Sequence, residues 1–255
     1  MTAPARAVTA ALIIIGNEIL SGRTQDTNLP YLAKRLNELG VRLSEVRVVP
    51  DVTERIVETV NACRSRFDYV FTTGGIGPTH DDITAAALAE AFGVPLTRDP
   101  EAVRRLKEHY GEGELNEARL RMALVPEGAE LVDNPVSKAP GFVIGNVFVF
   151  AGVPRIMQAM FENIKYRLVG GAVVKSRAIA AFLLEGEIAA GLEQLQHRYP
   201  DLEIGSYPFL RAGRLGTSVV VRGTDESRID DAAEELIGLM RHLGGAPAED
   251  SGTPR

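Results

Sequence analysis

The sequence predicts an α/β fold with a mainly parallel sheet covered by helices, followed by a smaller α+β unit. Three observations carry this. Over the first 167 residues, apolar runs alternate with segments of helical periodicity in the order βαβαβα. Val169-Gly170-Gly171 then reads as a linker. Beyond it a βαββα pattern of roughly 75 residues suits a small domain in the ferredoxin-like style. The expected division is 1–170, 171–245, and a disordered tail over 246–255, rich in Gly, Pro and Ala.

Each element has its own signal. Ala10–Ile15 is a continuous apolar run and reads as a buried strand. The helix expected over 28–39 puts Leu29, Leu32, Leu36 and Leu39 on one face, with Asp26 or Thr27 as N-cap. Val41–Val49 reads as a strand, and Thr53–Arg66 as a helix burying Ile56, Val60, Cys63 and Phe67. Tyr69–Thr73 is a strand, and Asp82–Phe92 a helix stopped by Gly93. Asp99-Pro100 opens a helix running to about Tyr110, since a capping side chain precedes a proline at the first turn. A second helix is expected over 115–124. Phe142–Ile144 and Val147–Phe150 flank Gly145-Asn146, a two-residue hairpin signal. A helix over 153–168 closes the first unit. In the second unit, 175–184, 203–209 and 215–222 read as strands, and 186–199 and 227–243 as helices.

Bulk composition narrows the function. With 34 acidic and 28 basic residues, the net charge of −6 argues against nucleic-acid partners, which need a basic footprint. The run Ala10–Ile15 is far shorter than the ~20 residues of a membrane span, so no membrane partner and a cytoplasmic setting are expected. Cys63 is the only cysteine, which excludes an intramolecular disulfide and a thiolate zinc cluster. Glu112, Glu114 and Glu117 read as a solvated charged face.

The chemistry concentrates in Thr73-Gly74-Gly75-Ile76-Gly77-Pro78-Thr79-His80-Asp81-Asp82. Glycines let backbone N–H groups approach an anion, and a helix N-terminus just beyond adds partial positive charge. Gly74, Gly75, Gly77, Pro78 and Thr79 are therefore candidate phosphate-binding residues of a small-molecule ligand. The segment lacks the third glycine of a dinucleotide fingerprint and the Gly-Lys-Ser/Thr of a Walker loop. Asp81 and Asp82 stand where a phosphate should meet the least negative charge, which points to a divalent metal such as magnesium between carboxylate and phosphate, or to aspartates that only cap the helix. Asp82 reads equally as the N-cap of a helix starting at Ile83. Asp51, after the second strand, is a candidate at the same carboxyl edge of the sheet, with Asp51 or Thr53 as an N-cap as the other reading. Asn17 and Glu18 end the first strand there, and Glu18 joins Asp81 and Asp82 as a candidate metal ligand. An all-carboxylate edge suits metal-assisted phosphate chemistry better than acyl transfer, and no G-x-S-x-G elbow is present. Ser137 and Lys138, in the loop Asn134 to Gly141, offer a hydroxyl and a positive charge to an anion, or form a solvated turn.

These motifs, with Ile15-Gly16-Asn17-Glu18-Ile19-Leu20-Ser21-Gly22, Asp26-Thr27-Asn28 and Gly152-Val153-Pro154, resemble the molybdopterin-binding (MoaB/Mog) domain family over roughly residues 8–168. The likeness is strongest to the amino-terminal part of CinA-type competence/damage-inducible proteins and to the related domain of FAD synthases. Residues 175–243, with Ile204-Gly205-Ser206-Tyr207-Pro208, are similar to the small domain that follows in CinA-type proteins. The resemblance implies a three-layer α/β/α sandwich, a homo-oligomer, and molybdopterin as a possible ligand. It also implies a metal-dependent site in which Asp51 and Asp82 are the catalytic carboxylates. CinA-type domains are associated with hydrolysis of dinucleotide pyrophosphates such as ADP-ribose, and the FAD synthase relative points to FAD. A non-catalytic binding module and a molybdopterin adenylyltransferase are the alternatives. Two departures stand out: Ala151 replaces a common proline, and Lys138 stands where relatives often have glycine. A chain of 255 residues leaves no room for the deamidase domain of full-length CinA-type proteins, so no deamidase activity is expected.

Overall fold

The computed structural model describes residues 7–111 and 113–250. The chain divides into two compact units, Met1–Gly171 and Ala172–Arg255. In the first, strands β1 (Val8–Ile15), β2 (Val41–Val49) and β3 (Tyr69–Thr73) alternate with helices α1 (Asn17–Leu20), α2 (Asn28–Glu38), α3 (Thr53–Arg64) and α4 (Thr84–Phe92). An excursion follows, built from β4 (Leu96–Arg98), α5 (Pro100–His109), α6 (Glu117–Leu120) and β5 (Leu124–Pro126). β6 (Glu130–Val132), β7 (Gly141–Ile144), β8 (Val147–Phe150) and α7 (Pro154–Ile164) complete the unit.

The main sheet has the order β2-β1-β3-β8-β7-β6. β1 runs parallel to β2 and β3, and β3 parallel to β8, whereas β7 is antiparallel to both β8 and β6. The β7–β8 reversal sits at Gly145, whose φ of +56° places it in the left-handed region that an L side chain avoids. The Asn146 amide clamps that turn by donating to the carbonyls of Arg64 and Phe67.

Alternate side chains of β1 divide between two cores. Ala10, Leu12 and Ile14 pack with α2 and α7 around Phe71, Phe150 and Phe161, while Ala11, Ile13 and Ile15 pack with Ile56, Val60 and Leu88 of α3 and α4. A strand buried on both faces has to be apolar throughout, which explains the unbroken run in the sequence. The result is the expected three-layer sandwich with a mainly parallel sheet. Cys63 lies in the second core, and burial pushes its thiol up from its ordinary range.

Several expected boundaries move. α4 begins at Thr84, two residues later than expected. The helix expected over 115–124 is only α6 and a 3₁₀ turn, Arg121–Ala123, because Leu124–Pro126 pairs instead with β4. The closing helix ends at Ile164 and passes into a 3₁₀ turn, Lys165–Arg167. Glu114 and Glu117 are exposed and pair with Arg119 and Arg98; Glu112 lies outside the described residues.

The second unit contains β9 (Lys175–Ala181), α8 (Glu185–Arg198), β10 (Glu203–Arg211), β11 (Arg214–Gly223), α9 (Glu226–His242) and β12 (Ala248–Glu249). Its sheet has the order β10-β11-β9-β12. Ile179, Val219 and Val221 pack against Ile188, Leu195, Ile229 and Leu236 of the two helices. β12 corrects the expectation of a disordered tail over 246–255: Ala248 and Glu249 pair with Ala180 and Ile179, and Glu249 holds Arg177. This gives the full βαββαβ order of a ferredoxin-like unit. Residues 251–255 lie outside the described residues. Among the described residues, no helix is long and apolar enough to cross a membrane.

Candidate functional site

The carboxyl ends of β1, β2 and β3 lie side by side, and short hydrogen bonds join the loops that leave them. The Gly16 N–H donates to the Val49 carbonyl at 3.1 Å. The Asn17 N–H donates to Asp51 Oδ2 at 2.9 Å. Asp51 thus bridges two strand ends and does not cap the helix that follows it: Val52 is the N-cap residue of α3, no side chain caps it, and Asp51 meets the first N–H of α1 instead. The N-cap reading of Asp51 or Thr53 is therefore corrected, because the free N–H of Asn17 across the sheet edge is the donor that Asp51 meets.

Past β3, the chain turns through two glycines that no other residue can replace. Gly74 has φ +103°, and a Cβ there would stand 2.1 Å from the Ile15 carbonyl oxygen. Gly75 has φ +68°, and its Cβ would meet Thr84 Oγ1 at 2.2 Å. Thr84, fully buried, pins the loop by donating its hydroxyl to the Gly74 carbonyl at 3.0 Å and its N–H to the Gly75 carbonyl at 3.0 Å. On the other side, Gly152 packs against Gly74 and its carbonyl accepts from the Asn28 amide at 2.8 Å.

The two aspartates turn back onto Thr79. Asp82 Oδ2 accepts from the Thr79 N–H at 2.7 Å, and the Thr79 hydroxyl lies 2.6 Å from Asp81 Oδ1 and 2.5 Å from Asp82 Oδ2. Asp82 does not cap α4, whose N-cap residue is Ile83 with no side-chain cap. The N-cap reading fails because α4 starts at Thr84, one residue later than that reading needs, and the carboxylate turns back to the Thr79 N–H. The Thr79 hydroxyl, the N–H of Asp81 and nearby His80 hold the Asp81 carboxyl below its usual range, so it is ionised at neutral pH.

A narrow recess opens over this loop, lined by Gly75, Gly77, Asp82, Arg121, Pro140 and Phe142. Pro140 comes from the loop that carries Ser137 and Lys138, which themselves do not line it. Buried Asn134 organises that loop: its amide nitrogen donates to Ser137 Oγ and the Ala139 carbonyl, and its oxygen accepts from the N–H groups of Val136 and Ser137. Lys138 takes φ +59°, a conformation that suits glycine. A larger recess of about 550 Å³, bordered by Arg98, Lys107 and Tyr110, contains none of the glycine-loop residues.

Polar groups without partners gather at the same edge. Asn28 Oδ1 and Thr73 Oγ1 are buried and, among the described residues, have no hydrogen-bond partner; Thr73 immediately precedes the loop. Such orphans are costly and call for an explanation, which a polar ligand would supply. Glu18 is exposed and folds back over Gly16, so it does not enter one ligand set with Asp81 and Asp82. Among the described residues, no cluster of three or more His, Cys, Asp or Glu stands where it could hold a metal. Magnesium typically binds through one or two carboxylates together with waters and a ligand phosphate, and the Asp81–Asp82 pair beside the glycine loop fits that requirement.

Residues 11–170 match the family model described as "Probable molybdopterin binding domain". The chain belongs to the molybdopterin-binding domain family. Within this family it is CinA-like: it is 35% identical to a CinA-like protein of Citrifermentans bemidjiense, over 92% of this chain and 63% of that one. A protein of Archaeoglobus fulgidus is 36% identical over 90% of this chain and 96% of its own length. The solved structure of CinA from Thermoplasma acidophilum, a protein of unknown function, superposes with a TM-score of 0.60 at 34% identity, covering 63% of this chain and 98% of that one. Residues 173–243 of the CinA-like chain match the model of the FAD synthase middle domain.

Sequence reasoning missed Asn28, Thr84, Asn134 and Arg121 as parts of this CinA-like site. Asn28 and Asn134 sit inside motifs already singled out, so their spacing was a usable signal. Thr84 and Arg121 carry no pattern that distinguishes them from ordinary helix residues.

Proposed function

We propose that this chain binds the phosphates of a nucleotide or pterin at Gly74–Thr79 and hydrolyses the pyrophosphate bond of a dinucleotide with a divalent metal. The observation that carries this reading is the Thr79 hydroxyl, which lies within hydrogen-bond distance of both Asp81 and Asp82 beside a loop whose glycines bring backbone N–H groups to an anion. Two neighbouring carboxylates would repel a bare phosphate, and a magnesium-type ion between carboxylates and phosphate would resolve the conflict. Asp81 and Asp82 would hold that ion, which when bound neutralises charge on phosphate oxygens.

The chain's own groups supply the rest. The glycine loop orients the phosphate, and Asp51, anchored by the Asn17 N–H, keeps a carboxylate at the neighbouring strand end for the attacking water. In the reaction a water oxygen bonds to one phosphorus, the bridging P–O bond breaks, and two monophosphates leave. Ser137 and Lys138 offer a hydroxyl and a positive charge to the developing anion. The similarity of residues 173–243 to the FAD synthase middle domain favours an adenine dinucleotide as substrate.

The test is incubation of the purified protein with FAD or ADP-ribose and magnesium, with AMP release followed by chromatography. Turnover that Asp82→Asn abolishes, in a variant that keeps its thermal transition, supports the proposal. Ligand binding without turnover across a panel of dinucleotides would reduce the chain to a binding module and refute hydrolysis.

A further inference from the structure

The excursion between α4 and β6 holds five arginines, and they behave differently. Arg98 pairs with Glu117, Arg104 with Glu101 and Glu108, Arg105 with Glu101 and Asp133, and Arg119 with Glu114. Arg119 also stacks its guanidinium over the Tyr110 ring. Arg121 has no ion pair or hydrogen-bond partner for its side chain among the described residues, yet it lines the narrow recess with Gly75, Gly77 and Asp82. Arg121 and Asp82 line one recess, and no ion pair joins them among the described residues.

The backbone behind Arg121 is rigid. It opens the 3₁₀ turn Arg121–Ala123, Ala123 is fully buried against Ala102 and Leu106, and the next residue, Leu124, enters β5 opposite Arg98. A guanidinium presents its donors in a planar fork that matches phosphate oxygens in pairs. The glycine loop supplies backbone donors for one phosphate; an unpaired guanidinium from a residue lining the same recess can supply donors for a second.

We propose that Arg121 is a phosphate-binding residue of this site, that it takes the second phosphate of a diphosphate-bridged ligand, and that it sets a preference for diphosphates over monophosphates. This rests on the reading of the glycine loop as a phosphate site. Arg121 acts in binding and discrimination; the carboxylates do the chemistry.

Calorimetric titration of the full chain in magnesium tests it, with AMP and with an ADP-ribose analogue whose bridging oxygen is replaced by a methylene so that it cannot be hydrolysed. The wild type should favour the ADP-ribose analogue. Arg121→Gln should weaken the analogue at least tenfold and AMP less than threefold, and Arg121→Lys should fall between, because an ammonium keeps the charge and loses the fork. Lys107→Gln, which removes a charge from the other recess, should change neither. Thermal melts confirm that the variants fold, as expected for an exposed side chain. Unchanged discrimination in Arg121→Gln with wild-type binding intact overturns this inference and leaves the phosphate site standing. An equal loss in Lys107→Gln reduces the effect to net charge and also overturns it. A wild type that binds neither ligand removes both the inference and the reading beneath it.

Discussion

The side-chain amide of Asn28 donates to the carbonyl of Gly152 at 2.8 Å, across 124 residues of sequence. Gly152 in turn packs on Gly74, so the first turn of α2 braces the glycine loop from behind. Asn28→Ala leaves the Gly152 carbonyl without its donor and should cost about 1–3 kcal/mol. Asn28→Asp should cost more, since a carboxylate cannot donate and faces a carbonyl oxygen. Urea denaturation of the two variants checks the order; an aspartate better tolerated than alanine would refute the brace.

Thr79 should matter for function far more than for folding. It is exposed, but its hydroxyl reaches both Asp81 and Asp82. Thr79→Ser keeps the hydroxyl and should retain magnesium-dependent ligand binding, while Thr79→Val should weaken it about tenfold with an unchanged melting temperature. The hydroxyl is the foremost cause of the lowered Asp81 pKa, so Asp81 in Thr79→Val should titrate closer to the ordinary carboxylate range. Carboxyl-carbon NMR against pH reads that shift directly.

Lys138 combines a strained backbone with a useful charge. Its φ of +59° costs an L residue about 1–2 kcal/mol that glycine does not pay. Lys138→Gly should therefore stabilise the first unit by up to about 1 kcal/mol, after the extra freedom glycine brings to the unfolded chain. The same variant should weaken binding of an anionic ligand. Stability and affinity moving in opposite directions is the expected outcome, measured by thermal melts and titration with ADP-ribose.

Glu162 ties α2 to α7, and its effect is pH-dependent. Burial pushes its carboxyl up, but hydrogen bonds from Lys165, Tyr31 and Arg35 outweigh this and bring it down to about 2. A carboxyl whose folded pKa lies below its unfolded value of 4.5 binds fewer protons when folded, so its contribution is complete above 4.5 and fades as pH falls through about 2. With the side chain 37% exposed, solvent screening limits the effect, and Glu162→Gln should cost about 1 kcal/mol at pH 7. Urea titrations at pH 7, 4 and 2.5 should show the difference from wild type closing.

Much of the site was legible because its chemistry is local. The glycines, Thr79 and the aspartates lie within nine residues, and Gly74 and Gly75 need their residue type for backbone reasons that any sequence displays. What the carboxylates do was not legible. Asp51 and Asp82 both precede helices and read as N-caps of them, yet each accepts from a donor elsewhere: the N–H of Asn17, first residue of α1, across the sheet edge, and the N–H of Thr79 three residues back. The segment 115–124 has helical spacing, but Leu124–Pro126 gains a ladder partner in β4, and pairing outweighed propensity. The tail's Gly and Pro content pointed to disorder, whereas Ala248 and Glu249 find an open edge on β9.

Taken alone, the sequence determined the layered α/β architecture, the linker at Gly170-Gly171, the hairpin at Gly145 and the glycine turn after β3. Each of these follows from residue type and short-range periodicity, which the chain carries wherever it is placed. Only the tertiary structure decided that Asn28 braces Gly152, that Thr84 pins the loop, and that Arg121, unpaired among the described residues, lines one recess with Asp82. Those relations join residues as much as 124 positions apart. They depend on which surfaces the folded sheet brings together, and no local pattern encodes that.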